Sequence, residues 1–227
     1  LSILVVFDLD DTLYPEIEFV YSGFRAVASA LAPEIGLPVT DFYRQLMQLS
    51  DESRLEVFDR FINNNNLKPD FYLPKMISLY REHYPEINLF ADVMPLLNVL
   101  RSREVKVGII SDGYYQVQNN KVKALKLTGA MDKIVLTDFW GRAYWKPHPR
   151  AFTEMLGTFK IEPARSFYIG DNPLKDFLAP NKLRMRSVRI LRENGLYLKA
   201  KAPAGGEATY TIDSLAGLPA VMDKITL

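Results

Sequence analysis

Short apolar runs that stop at polar residues recur along this chain. Residues 3–7 run into Asp8, 105–110 into Ser111, Lys133–Leu136 into Thr137-Asp138, and 167–169 into Gly170-Asp171. Residues 187–191 and Tyr210–Ile212 share the same β-rich character. Near-continuous apolar runs predict strands buried on both faces, as in a parallel sheet. Helix-like segments follow the first four, and that alternation predicts a doubly wound, Rossmann-like α/β core.

Residues 14–90 carry a different pattern. Phe19, Val20, Phe24, Val27, Ala28 and Leu31 recur at helical spacing, and further helical patterns run through 42–49, 55–62 and 71–84. Breaks are expected at Pro33, Pro38, the four asparagines 63–66 and Pro85. The pattern predicts a small all-helical domain over 14–90, inserted after the first strand of a core made of 1–13 and 91–227.

A length of 227 residues suits a core with a smaller accessory domain, and 48% hydrophobic content is ordinary for a globular chain. The net charge of +1 comes without a long basic stripe, so nucleic acid is not an expected partner. Residues 182–192 alternate basic and apolar side chains and read as the solvated edge of a helix and strand. The absence of Cys excludes disulfides, thiolate catalysis and Cys-ligated zinc. No stretch approaches the roughly eighteen apolar residues of a membrane span, and the opening lacks signal-peptide features, so no membrane partner and a cytoplasmic location are expected.

Ligands of open α/β sheets collect beyond the carboxyl ends of the strands. The polar residues that end the runs are therefore expected to converge. They are Asp8, Asp10, Asp11 and Thr12; Ser111, Asp112 and Gly113; Lys146, ahead of a helix expected near Pro147; and Asp171 with Asp176. Two like charges near 4 Å repel by about 1 kcal/mol in water and about 4 at an effective dielectric of ~20. So many carboxylates need more than one lysine to coexist ionised. An oxygen-rich set free of Cys and His suits a hard divalent cation such as Mg²⁺. Asp8-x-Asp10 is not an EF-hand, because Leu13 and Phe19 stand where Gly and Glu are needed. No Gly-Lys pair exists for a P-loop.

The order Asp8-Leu9-Asp10-Asp11-Thr12, Ser111, Lys146-Pro147 and Gly170-Asp171-Asn172-Pro173-Leu174-Lys175-Asp176 resembles the haloacid dehalogenase superfamily over nearly the whole chain. The resemblance implies a phosphatase with a helical cap. Asp8 would be the nucleophile that forms an aspartyl-phosphate, and Asp10 the acid–base group. Thr12 would orient the acid–base loop. Ser111, the backbone at Asp112 and Gly113, and Lys146 would bind phosphate. Asp8, the Asp10 carbonyl and Asp171 would hold Mg²⁺, with Asp176 in support. The expected substrate is a small phosphorylated metabolite, a sugar phosphate or nucleotide monophosphate. A phosphomutase would use the same residues, and a non-catalytic phosphoacceptor or binding protein is the alternative from another class. A dehalogenase has no leaving oxygen to protonate and would not need Asp10. Trp140, Tyr144 and Trp145 are expected to pack on one another rather than to stack on substrate, a stretch that departs from the small or polar residues common there in the family. Tyr14 and Glu16 are candidates for substrate contact.

Overall fold

The computed structural model describes residues 2–224. Leu1 and residues 225–227, both assigned to the core from sequence, lie outside the described residues. Six strands form one parallel sheet in the order β3-β2-β1-β4-β5-β6: β1 Leu4–Phe7, β2 Lys106–Ser111, β3 Lys133–Leu136, β4 Ser166–Gly170, β5 Arg186–Ile190 and β6 Tyr210–Ile212. Every apolar run becomes a strand, within a residue or two of its expected ends. β1 is buried at all four positions, as a strand covered on both faces must be.

The helices are α1 Glu16–Ile35, α2 Val39–Glu52, α3 Val57–Asn64, α4 Pro69–Glu82, α5 Val93–Ser102, α6 Tyr115–Ala124, α7 Arg150–Phe159, α8 Leu178–Lys182 and α9 Leu218–Asp223. Two compact units emerge, one holding the sheet with residues up to Glu16 and from Asn88, the other Ile17–Ile87. In the sheet unit Phe152 and Met155 of α7 pack with Leu4, Val6, Ile110 and Tyr168. The helical unit has its own core, in which Phe24, Val27 and Leu31 of α1 meet Phe42, Leu46, Phe61 and Met76. The Phe42 and Phe61 rings stack at 4.2 Å.

Three local expectations are corrected. Pro33 does not end the first helix; α1 runs through it to Ile35. The helix expected near Pro147 begins at Arg150, with Pro149 as its cap. The stretch 182–192 is not solvated throughout, because Arg192 is buried. Its guanidinium donates to both oxygens of Asp92, at 2.7 and 3.0 Å, and to the Thr12 carbonyl at 2.8 Å, and it lies 3.9 Å from the Phe90 ring centre. Asp92 also accepts from Ser214 Oγ and the Leu215 N–H, each at 2.9 Å. A bidentate, shielded pair of this kind fixes geometry more firmly than a surface ion pair. Here it joins the ends of β5 and β6 and the start of α5 to the loop that follows β1.

Strand register sets the site. Phe7 lies opposite Ile109 on one side and Ile169 on the other. Asp8 therefore emerges between Ile110-Ser111 and Gly170-Asp171, at the point where the strand order reverses. Its N–H donates to the Ile169 carbonyl at 2.8 Å.

Candidate active site

Asp8, Asp10, Asp112 and Asp171 line one cavity of about 120 Å³ with Glu16, Asn172, Lys175 and Tyr197. Ser111, Lys146 and Asp176 are buried against these residues and are not among those lining the cavity. Strand ends far apart in sequence thus converge.

Lys146 is the hub. Its fully buried ammonium lies 2.6 Å from Asp8 Oδ1 and 2.8 Å from Asp176 Oδ1, and it donates to Tyr168 Oη at 2.8 Å. Burial alone would lower its pKa, but Asp176 and Asp8 raise it well above the usual lysine value. The loop that carries Lys146 is held by Asp112, whose Oδ1 accepts from the Lys146 N–H at 3.1 Å and Thr137 Oγ1 at 2.7 Å. The other Asp112 oxygen accepts from Lys175 Nζ at 3.0 Å. The Asp112 side chain is thus committed to the scaffold.

Gly170 allows Asp176 in. A Cβ at position 170 would collide with the Asp176 carboxylate. Without it, Asp176 Oδ2 turns back to accept from the Asn172 N–H at 3.0 Å. Asp176 Oδ1 is buried and has no hydrogen-bond partner among the described residues beyond its ion pair with Lys146.

One oxygen from each of Asp8, Asp171 and Asp176 falls within 4.8 Å of the others. Burial, the largest influence, raises the Asp8 pKa to about 7, with Lys146 opposing and Asp176 adding. Burial together with Asp176 and Asp8 raises Asp171 to about 9. Three buried carboxylates crowd one another while Lys146 pairs with two of them, Asp8 and Asp176. The arrangement fits a hard divalent cation. Asp176, expected only in support, stands inside this group. The Asp10 carboxylate stands outside it.

Asp10 is held elsewhere. Its Oδ1 accepts from Lys121 Nζ at 2.6 Å and from the Tyr14 hydroxyl, and its Oδ2 accepts from Gln118 Nε2 at 2.7 Å. Burial raises its pKa, but the Lys121 charge and these donors outweigh burial and leave it below the usual value. Asp8 and Asp10 are thus shifted in opposite directions. Gln118 Nε2 also donates to Ser111 Oγ at 2.6 Å. Gly113, at φ 123°, sits where a Cβ would come within 3.2 Å of the Gln118 side chain.

Thr12 is fully buried, and its hydroxyl has no hydrogen-bond partner among the described residues. The loop around Asp10 is held instead by Arg192 on the Thr12 carbonyl, and by Asp11 accepting from the N–H groups of Glu16 and Leu196 at 2.8 and 2.9 Å. Tyr14 is fully buried and bonded to Asp10, so the substrate contact expected of it is replaced by support of that carboxylate. Glu16 does line the cavity. Trp140 and Tyr144 pack edge to face, 6.5 Å between centres, under the Arg150 guanidinium, and Trp145 donates to Asp138 at 3.1 Å. None of the three lines the cavity.

Sequence reading missed Gln118, Lys121 and Tyr168. Gln118 and Lys121 are three apart on α6, hence on one face. A helix that starts four residues after Ser111 was the available signal. Polar helical side chains read as solvated, however, and these two are buried.

A model of the family described as haloacid dehalogenase-like hydrolase matches residues 5–190. The chain is 27% identical over 199 residues, 83% of its own length and 83% of the relative's, to a protein of Methanopyrus kandleri named glyceraldehyde 3-phosphate phosphatase. It is 26% identical over 227 residues, 97% of each chain, to a protein of the same name from Methanocaldococcus jannaschii. Among solved structures, a haloacid dehalogenase superfamily hydrolase of Geobacter sulfurreducens superposes with a TM-score of 0.68 at 18% identity, covering 97% of this chain and 96% of the other. That last likeness speaks for the fold.

Proposed function

We propose, from the premise that this chain belongs to the haloacid dehalogenase-like hydrolase family, that it is a Mg²⁺-dependent phosphatase acting on a small phosphomonoester through an aspartyl-phosphate on Asp8. One observation carries the reading. Asp8 ends the central β1 strand beside Lys146, and its carboxylate shares a buried cluster with Asp171 and Asp176. The relatives' shared name supports a small sugar phosphate as the substrate class. The inserted helical unit is, in this reading, the substrate-selecting cap.

Asp8 and Asp171 would hold Mg²⁺, with the Asp10 backbone carbonyl and Asp176 completing the set. When bound, the cation supplies charge neutralisation and orients phosphoryl oxygens. An Asp8 oxygen then attacks phosphorus, the bond to the leaving oxygen breaks, and Asp10 delivers a proton to that oxygen. In the second half Asp10 takes a proton from water, the water oxygen bonds to phosphorus, and the bond to Asp8 breaks, releasing phosphate. The proton taken up by Asp10 serves the next cycle. The Lys121 charge and the donors on Asp10 favour its carboxylate, the form used in the second half, whereas the first half uses its protonated form. Lys146 and Ser111 steady the phosphoryl oxygens as charge develops.

Phosphate release from a panel of sugar phosphates and nucleotides with Mg²⁺ tests the function. A phosphomutase would give an isomerised sugar instead of free phosphate. Excess EDTA should stop hydrolysis, and undiminished release would count against the metal.

A thermal measurement gives an independent check. Carboxylates whose folded pKa values lie near 7 and 9 hold protons that the unfolded chain has lost above its ordinary 3.8. The metal-free protein therefore loses stability as pH rises from about 4 to 9. Mg²⁺ takes the place of those protons. At about 100 times its Kd it adds about 2.7 kcal/mol, a Tm increase of roughly 5–10 °C for a chain of this size. The increase should be larger at pH 8 than at pH 5. An equal or reversed pH trend would contradict the assignment.

A further inference from the structure

We propose that Gln118 and Lys121 are positioning residues for the Asp10 carboxylate, and that Gln118 couples it to the phosphate-binding Ser111 hydroxyl through one side-chain amide. The inference rests on the hydrolase reading above and adds two residues to its machinery.

The geometry is specific. Gln118 and Lys121 are one helical turn apart on α6, so both project from the same face. Each caps a different oxygen of Asp10: Lys121 Nζ reaches Oδ1 at 2.6 Å and Gln118 Nε2 reaches Oδ2 at 2.7 Å. The same Gln118 nitrogen reaches Ser111 Oγ at 2.6 Å, so its two N–H bonds serve both partners. Gln118 is 1% exposed and Lys121 4% exposed, and an ammonium withdrawn from water that far is costly unless paired with a carboxylate. Gly113 fits the same arrangement, since a side chain there would press on Gln118.

A carboxylate serving as acid and then base must present one oxygen along a fixed line, first to the leaving group and then to water. An error near 1 Å there costs about 10²-fold. Asp10 lies on a loop, which offers little rigidity by itself. Arg192 and Asp11 hold the loop itself. The carboxylate is aimed by the Tyr14 hydroxyl together with two side chains of α6, a helix that starts four residues after Ser111. Binding of a phosphoryl group at Ser111 is thereby linked to the carboxylate that must act on it. Both side chains end on the Asp10 carboxylate, so both act through Asp10.

Gln118→Leu and Lys121→Met should separate this role from simple structural support, with p-nitrophenyl phosphate and phenyl phosphate as probes. Each variant should lower kcat on phenyl phosphate by about 10–100-fold, a part of the usual acid–base contribution, with KM within about threefold. On p-nitrophenyl phosphate, whose phenolate leaves with little protonation, the first step should persist while water attack slows. A pre-steady-state burst approaching one nitrophenolate per site should therefore appear in the variants. Lys121→Arg should recover most of the loss. Wild-type kcat on both esters, or equal losses on both with no burst, would overturn the positioning role. Should Lys121→Met not fold, Gln118→Glu is read by the same burst criterion, and a wild-type rate without a burst overturns the role. If the wild-type enzyme releases no phosphate from either ester, the hydrolase reading itself fails. If it does, and Asp10→Asn is inactive while both variants match wild type, only the positioning role fails.

Discussion

Asp8→Asn should lower turnover by about 10³-fold or more while leaving the melting temperature unchanged or raised. The amide has nearly the shape of the carboxylate but no anionic oxygen to bond to phosphorus. Its effect on stability follows from crowding. Burial and Asp176 already push the Asp8 pKa to about 7, so its charged form is unfavourable in the metal-free fold despite Lys146. A neutral amide relieves that repulsion while losing the charged partner of Lys146, and the two changes oppose each other. Phosphate release and a thermal melt on the same preparation measure both. Retention of more than a tenth of wild-type turnover would remove Asp8 as the nucleophile. A large drop in melting temperature would instead make Asp8 a structural residue.

Lys146→Met should cost both activity and stability. The ammonium is fully buried between Asp8 and Asp176, with Tyr168 as its third partner. Removing one member of a buried ion pair typically costs about 3–5 kcal/mol, because the remaining charges are left uncompensated. The carboxylates left behind can take up protons, so the loss should be smaller at pH 5 than at pH 8. Turnover should fall by about 10²-fold or more, the scale of removing one preorganised group that stabilises developing charge. Lys146→Arg should not restore activity fully, because a planar fork does not fill the place of a point charge. Denaturant melts at the two pH values, together with phosphate release, check the prediction. A stability loss independent of pH would show that the carboxylates are not what Lys146 neutralises.

The strands were legible because burial on both faces leaves little choice of residue: β1 contains nothing but Leu, Val and Phe. Their ends were legible for the same reason, since Asp8, Ser111 and Asp171 are where the apolar demand stops. Helical boundaries were harder. Pro33 carries a strong local signal for a break, yet α1 continues past it, since a proline near a helix end interrupts few bonds. Arg192 and Lys121 were misread or missed for one shared reason. A basic residue among apolar ones reads as a solvated edge unless its partner is known, and Asp92 and Asp10 are each about a hundred positions away in the chain. Thr12 shows the reverse. Motif position suggested that Thr12 orients the loop without saying by which atom; its hydroxyl is unpartnered among the described residues and its carbonyl makes the contact, with Arg192. Sequence periodicity reports burial well and reports partnership between distant polar groups poorly.

The most direct measurement is acid quenching during steady-state turnover of a good substrate with Mg²⁺, followed by mass spectrometry of the digested chain. The account predicts a phosphoryl adduct on the peptide containing Asp8, absent from Asp8→Asn and absent when EDTA is added first. Rapid phosphate release with no adduct at any time, or with the adduct on another carboxylate, would contradict it.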